Sequence, residues 1–354
     1  VDHLHTNRYF CIVNPDMLKI RARVLQTIRS FFADRAYLEV DTPMLAPSLI
    51  PESHLEVFRT RFEHPDHESR ELYLIPSPEV WIKRLLAEGS GSVFQLGKSF
   101  RNGEAVGRLH QPEFTMLEYY TVEADYLDSI AITEALMDAI LAAAGDEIAT
   151  YRRGTEAGAA TRTVAPPPSP SALTGPFERI SISEAFERFA GAPAQHLGEA
   201  EALHRIARAQ GMRTRGEETY EELFNRLFVH LVEPELPRDR AVVLFDYPAA
   251  VPTLAAEKTG TPWAQRWELY LGGIETANCY TEERDPRKIR SFFAAEQARK
   301  TRSVVPHRID EEYYRVFGEN FPDCSGVAMG VDRLLMVLLG EQSIKRVIPF
   351  TVLD

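Results

Sequence analysis

Cysteine is scarce in this chain of 354 residues: Cys11, Cys279 and Cys324 are an odd, widely spaced set with no C-x-x-C pair. That spacing excludes a disulfide framework and argues against a structural zinc site, and it makes a reducing cytoplasm the expected location. No apolar run approaches the roughly 20 residues that a membrane-spanning helix needs, the longest being Leu334 to Leu339, so no membrane partner is expected. The N-terminus lacks the basic, apolar and small-residue order of a signal peptide. Positive charge is short as well. Forty Lys and Arg against 52 Asp and Glu give a net charge of -12, which sets the overall field against general nucleic-acid binding. No internal repeat and no G-x-G-x-x-G fingerprint occur. What remains, 44% hydrophobic and 26% charged, is a globular mixture that excludes disorder as the dominant state.

From Met17 to Ala36, Val24, Leu25, Ile28, Phe31 and Phe32 follow one helical face. Leu38 to Pro43 then reads as a short strand closed by a proline, which suits an edge or an interface. Strands are predicted at Leu72 to Ile75, Ser92 to Phe100, Pro112 to Thr121, Ala241 to Phe245, Trp267 to Tyr280 and Gly326 to Gly330. Helices are predicted at Pro78 to Leu86 and Glu218 to Val232. The class is α+β with a long sheet. Between about 152 and 176 the composition turns to Ala, Thr, Gly, Ser and Pro, including Pro166 to Pro170, and is read as a flexible surface insertion.

Three clusters carry chemistry. In Val93 to Tyr120, two strand-like runs flank a polar loop bearing Arg101, Asn102, Glu104, Arg108 and His110, and period two puts Phe114, Glu118 and Tyr120 on one face. Such a face suits a nucleotide floor, with a ring for the base and Arg101 for a phosphate oxygen; a solvated hairpin with surface charges reads equally well from the loop alone. In Gly272 to Glu282, Glu275 and Asn278 lie among small and apolar residues, where a carboxylate needs a cation, magnesium included, or a proton; salt-bridged carboxylates at a strand end are the alternative. In Cys324 to Leu334, a small-residue strand passes through Gly330 to Arg333 at a helix start, fit for a phosphate or a purine face, or a plain packing junction.

In this order and spacing the clusters resemble the three motifs of class II aminoacyl-tRNA synthetases. The helix and strand ending at Pro43 are similar to motif 1, Phe100-Arg101-Asn102 through Pro112-Glu113-Phe114 to motif 2, and Gly330-Val331-Asp332-Arg333 to motif 3. Within the class the resemblance is closest to the lysyl-tRNA synthetase subgroup, and closest of all to the elongation factor P (R)-β-lysine ligase family. Phe31 to Arg35, Ser77-Pro78-Glu79, Pro112 to Glu118 and Pro322 to Ala328 carry it almost letter for letter.

The resemblance implies one catalytic domain over 1–354, built on a six-stranded antiparallel sheet flanked by helices and dimerising through motif 1. It implies a ligase that activates lysine or (R)-β-lysine with ATP and magnesium and passes it to a lysine of elongation factor P. Arg101 and Arg333 would be the catalytic cations. Asn102, Glu104, Gln111, Phe114, Glu275, Thr276 and Gly330 would complete the ATP site, with Glu275 and Glu282 for the metal. Ser77, Pro78, Glu79, Tyr120, Asn278, Glu282 and Ala328 would surround the amino acid. About sixteen residues precede the first helix, too few for an anticodon-reading β-barrel, so no anticodon recognition is expected. A truncated synthetase charging tRNA or a small acceptor, and a non-catalytic regulatory paralogue, are the other readings. Departures from the family are a motif 2 loop one residue longer, so that Gly103 or Glu104 takes the glutamate role, Gln111 for asparagine, Cys279 for glycine, and Val80-Trp81-Ile82 for a more polar run.

Overall fold

A computed structural model describes residues 14–103, 107–157, 167–192, 197–214, 218–307, 311–318 and 320–351. Asn14 opens α1 (Pro15–Ala33): its Oδ1 accepts from the N–H groups of Asp16 and Met17, and Pro15 begins the first turn. The helix buries Met17, Ile20, Val24, Ile28, Phe31 and Phe32, the stripe its spacing predicts. It stops short of Ala36, which lies at φ +61.

The strands are β1 (Leu38–Glu39), β2 (Leu45–Ala46), β3 (Arg59–His64), β4 (His67–Leu74), β5 (Val93–Phe100), β6 (Glu113–Val122), β7 (Glu178–Ser181), β8 (Ala241–Pro248), β9 (Trp263–Leu271), β10 (Ile274–Thr281) and β11 (Cys324–Gly330). Eight of them form one sheet in the order β1-β5-β6-β11-β10-β9-β8-β7. Its six central strands run antiparallel to their neighbours, while β1 and β7 add to the edges in parallel. The six-stranded platform is therefore present, extended to eight by two short edge strands. β2, β4 and β3 make a second, smaller sheet.

The remaining helices are α2 (Glu79–Ala87), α3 (Tyr126–Ala157), α4 (Ile182–Ala190), α5 (Ala200–Ala209), α6 (Tyr220–Leu227), α7 (Pro286–Lys300) and α8 (Val331–Leu339). One face of the large sheet packs its apolar residues against α1, α3 and α8. A second core gathers α4, α5 and α6 beside β7 and β8. A third sets α2, α7 and the small sheet against the cavity end. No described helix is long and apolar enough to cross a membrane.

Three expectations need correction. Trp267 to Tyr280 is not one strand but a hairpin: Gly272 and Gly273, at φ +61 and +76, form a two-residue turn that an L side chain would strain. The helix expected over Glu218 to Val232 starts with a Thr219/Glu222 capping box, and its last five residues, Phe228–Val232, are wound as a π-helix. The expected flexible insertion begins too early. Residue 152 lies within α3, and the buried Arg152 donates to the carbonyls of Val337, Leu338 and Pro168, closing the C-terminal end of α8. Leu173 is buried as well. The middle of that stretch, 158–166, lies outside the described residues.

Candidate active site

On the sheet face opposite α1, α3 and α8 lies a cavity of about 360 Å³. Strand parity fills its floor: Met116, Glu118 and Tyr120 from β6, Asn278 and Tyr280 from β10 with Glu282 just beyond it, Gly326 and Ala328 from β11. Ser77 and Glu79 enter at the start of α2, and Arg101 follows β5. Pro78 is the residue before α2 and shapes that turn without lining the wall. A side chain at Gly326 would bring a Cβ within 2.5 Å of the Tyr120 ring and 3.0 Å of Glu282 Oε1, so glycine is required for the floor to close. Of the predicted amino-acid residues, Ser77, Glu79, Tyr120, Asn278, Glu282 and Ala328 are thus brought together.

The cavity is rich in carboxylates. Lys83, fully buried, donates to Glu79 and lies 2.7 Å from Glu282 Oε2. Burial works against its charge, but Glu282 and then Glu79 outweigh it and hold the ammonium well above the usual lysine range. Burial pushes Glu282 up to about 7 despite Lys83. Glu118 is pushed up to about 8 by burial and by Glu79. Glu282 Oε1 has no hydrogen-bond partner among the described residues. A buried acceptor left in that state calls for a donor.

Toward the other end, Arg333 projects from the first turn of α8. Its Nη1 donates to the Glu275 carbonyl at 3.0 Å and lies 3.5 Å from Glu275 Oε2, and its Nη2 meets His110 Nε2 at 2.6 Å. The Arg101 guanidinium stands 5.3 Å over the Phe114 ring. The register of β10 against β9 shifts between Glu275 and Ala277, a bulge at Thr276 that turns Glu275 to the face of Asn278. Burial and then the Glu268 charge raise the Glu275 pKa. Glu268 accepts from Arg266 and Tyr247 at 2.6 Å and from Tyr270 at 2.8 Å. Below this end, buried Asp332 accepts from Arg21 at 2.6 Å and from the Thr115 N–H at 2.7 Å. One carboxylate so ties α1, β6 and α8, which carry the segments similar to motifs 1, 2 and 3, and fixes the helix start that aims Arg333.

Other predicted residues are placed differently. Asn102 is a loop clamp, its Nδ2 donating to the Val57 carbonyl and its Oδ1 accepting from Gly103 N–H. Gln111 is buried with neither amide atom hydrogen-bonded among the described residues. Thr276 Oγ1 donates to the Ile274 carbonyl within the bulge. Gly330 precedes α8, and a Cβ there would meet nothing closer than 3.8 Å. Glu104 lies outside the described residues. Of the two expected metal carboxylates, Glu275 lies beside Arg333, and Glu282, just past the end of β10, faces Lys83. Cys279 is fully buried in the core beneath the sheet, so its exchange for glycine does not reshape the cavity. Lys83 and Glu268 escaped the sequence reading. Glu79 and Lys83, four apart on one helical face, are the signal for the first; for Glu268 it is the period-two run Arg266, Glu268, Tyr270 on β9, to which β8 adds Tyr247.

A family model described as tRNA synthetases class II (D, K and N) matches residues 2–354. The chain is 35% identical over 346 residues, 96% of its own length and 95% of theirs, to proteins named elongation factor P–(R)-β-lysine ligase from Salmonella paratyphi B, Salmonella schwarzengrund and Salmonella heidelberg.

Proposed function

The chain belongs to the class II tRNA synthetase family of the D, K and N type, and from that premise we propose that it is an ATP-dependent ligase. It activates lysine or (R)-β-lysine as the acyl-adenylate and transfers it to a lysine of elongation factor P. The observation that carries the amino-acid assignment is the orphaned Glu282 Oε1 in a cavity shared with Glu79 and Glu118. A substrate with two ammonium groups supplies the charges this cavity wants.

ATP lies across the sheet, its base on Phe114 with Arg333 over the other face, and its α-phosphate against Arg101. Arg101 belongs to both halves, lining the cavity and standing over Phe114. It would draw the substrate carboxylate and the phosphate together so that a carboxylate oxygen attacks the α-phosphorus and pyrophosphate leaves. An acceptor amine then attacks the acyl carbon and AMP leaves. Positioning and charge neutralisation supply most of the barrier reduction, and no enzyme nucleophile is needed. Glu275, beside Arg333, and Glu282 are the carboxylates that would hold a divalent cation. Magnesium held there with phosphate oxygens would offset negative charge on the triphosphate.

The cytoplasm is the proposed compartment, and protein rather than tRNA the proposed acceptor. A homodimer is proposed through the segment around Pro43, where Leu38, Met44 and Leu45 expose 53%, 45% and 41% of their surface; sedimentation of the purified chain tests it. The enzyme assignment is tested by ATP–pyrophosphate exchange with α-lysine, (R)-β-lysine and the other amino acids, followed by label transfer to elongation factor P or tRNA. Exchange with the lysines and label on elongation factor P are expected. Label on tRNA alone, or exchange with no amino acid, would overturn the assignment.

A further inference from the structure

Glu52 lies on the loop between β2 and β3 and lines the same cavity as Arg101. Among the described residues its carboxylate makes no hydrogen bond or ion pair. The other cavity carboxylates are engaged: Glu79 and Glu282 by Lys83, Glu118 by Tyr120, Glu221 by Arg299, and Glu296 by Arg299 and the Ser53 N–H.

The loop that carries Glu52 is held from below by buried charges. Glu296 Oε2 accepts from Ser53 N–H at 2.7 Å, and Lys300, fully buried, donates to the carbonyls of Glu52 and Leu55. The next residues are pinned too, with the Val304 N–H on Glu56 Oε1 at 3.0 Å and the Asn102 N–H on the Glu56 carbonyl at 2.9 Å. That last bond joins the loop to the residue beside Arg101. Glu52 therefore sits on a rigid mount, tied to the segment of Arg101, in the cavity where acyl group and phosphate would meet under the reading above.

Transfer to a lysine has a chemical requirement that this reading leaves unmet. A lysine amine with a pKa of about 10.4 is almost wholly protonated at neutral pH, and an ammonium has no lone pair with which to attack. We propose that the Glu52 carboxylate takes the proton from the incoming acceptor ammonium, an inference that rests on the acyl-adenylate reading. One N–H bond breaks and its proton goes to Glu52. The freed electron pair forms the C–N bond to the acyl carbon, the C–O bond to phosphate breaks, and AMP leaves with that pair. The second nitrogen proton passes to water.

The groups that face Glu52 suit the task. Burial, then Glu79 on α2 and Glu296 on α7, push its pKa up, and Arg101 and Lys83 pull it back, to a balance of about 7. A base poised near the working pH combines an available ionised form with real proton affinity.

The test compares the unmodified protein with Glu52→Gln, which keeps the side-chain volume, and with Glu52→Asp. Transfer is followed in single turnover from the preformed adenylate to Nα-acetyl-lysine N-methylamide and, separately, to hydroxylamine, which is already unprotonated at neutral pH. For Glu52→Gln, pyrophosphate exchange and capture by hydroxylamine should stay within about twofold, while transfer to the lysine amide falls about 100-fold. Transfer by the unmodified protein should level off above about pH 7, whereas the variant's should climb on toward the pKa of the free amine. Glu52→Asp should recover part of the rate. If Glu52→Gln raises the amino-acid KM in exchange and leaves transfer intact, Glu52 is an ammonium ligand and the proposal fails. Unaltered transfer also sinks it, with the ligase assignment left standing. Absence of exchange in the unmodified protein removes both.

Discussion

Loading the cavity with a diammonium amino acid should expel protons. Burial sets the Glu118 pKa at about 8 and the Glu282 pKa at about 7. Near pH 7 both carboxylates are therefore within their titration range in the empty protein, Glu118 the more protonated. Both folded pKa values lie above the ordinary carboxylate value. The stabilisation these protons confer is complete below about pH 4.5 and is lost as pH rises through 7 and 8. An ammonium beside each carboxylate favours the charged form instead. Binding at pH 7 should then release on the order of one proton and tighten by roughly tenfold per pH unit near that point. Titration calorimetry with (R)-β-lysine at pH 7 in phosphate and in Tris reads the release as a buffer-dependent heat. Norleucine, which lacks the terminal ammonium, should release fewer protons. Heats that do not depend on the buffer, or an affinity flat across this pH range, would refute the reasoning, because they would mean that these carboxylates are already ionised or do not meet the ligand.

Lys83→Met leaves Glu79 and Glu282 buried without their shared cation, so urea unfolding should show a loss of about 3–5 kcal/mol. The deficit should shrink on acidification as the two carboxylates take up protons. Gly326→Ala pushes a methyl into the Tyr120 ring, and steady-state exchange should show the amino-acid KM rising at least about tenfold with the ATP KM nearly unchanged. Arg333→Ala removes the cation beside Glu275; exchange should fall by about 100- to 1,000-fold while the melting temperature moves little.

The legible parts of the site were those written in local periods. Alternation along β6 puts Glu118 and Tyr120 on one face, and the helical spacing of α1 names the residues it buries. Two kinds of information were hidden. Turns that depend on backbone handedness, as at Gly272 and Gly273, divide what composition alone reads as one strand. Partners distant in the chain decide whether a charge is functional. Lys83 meets Glu282 across 199 positions, and Glu52 owes its place to Glu296 and Lys300 on another element. The α3 helix was missed because it is apolar around much of its circumference, packing between α1, α8 and the sheet, so no single stripe marks it.

The one-residue bulge at Thr276 acts as a phase shifter. Upstream of it odd positions look toward the substrates, and downstream even ones do, so a single strand serves two ligands whose spacing no regular ladder could match. In an unbulged strand Glu275 and Asn278, three residues apart, would fall on opposite faces, with Glu275 turned to the apolar core. Anyone transplanting this chemistry onto another antiparallel scaffold must therefore carry the irregularity along with the side chains.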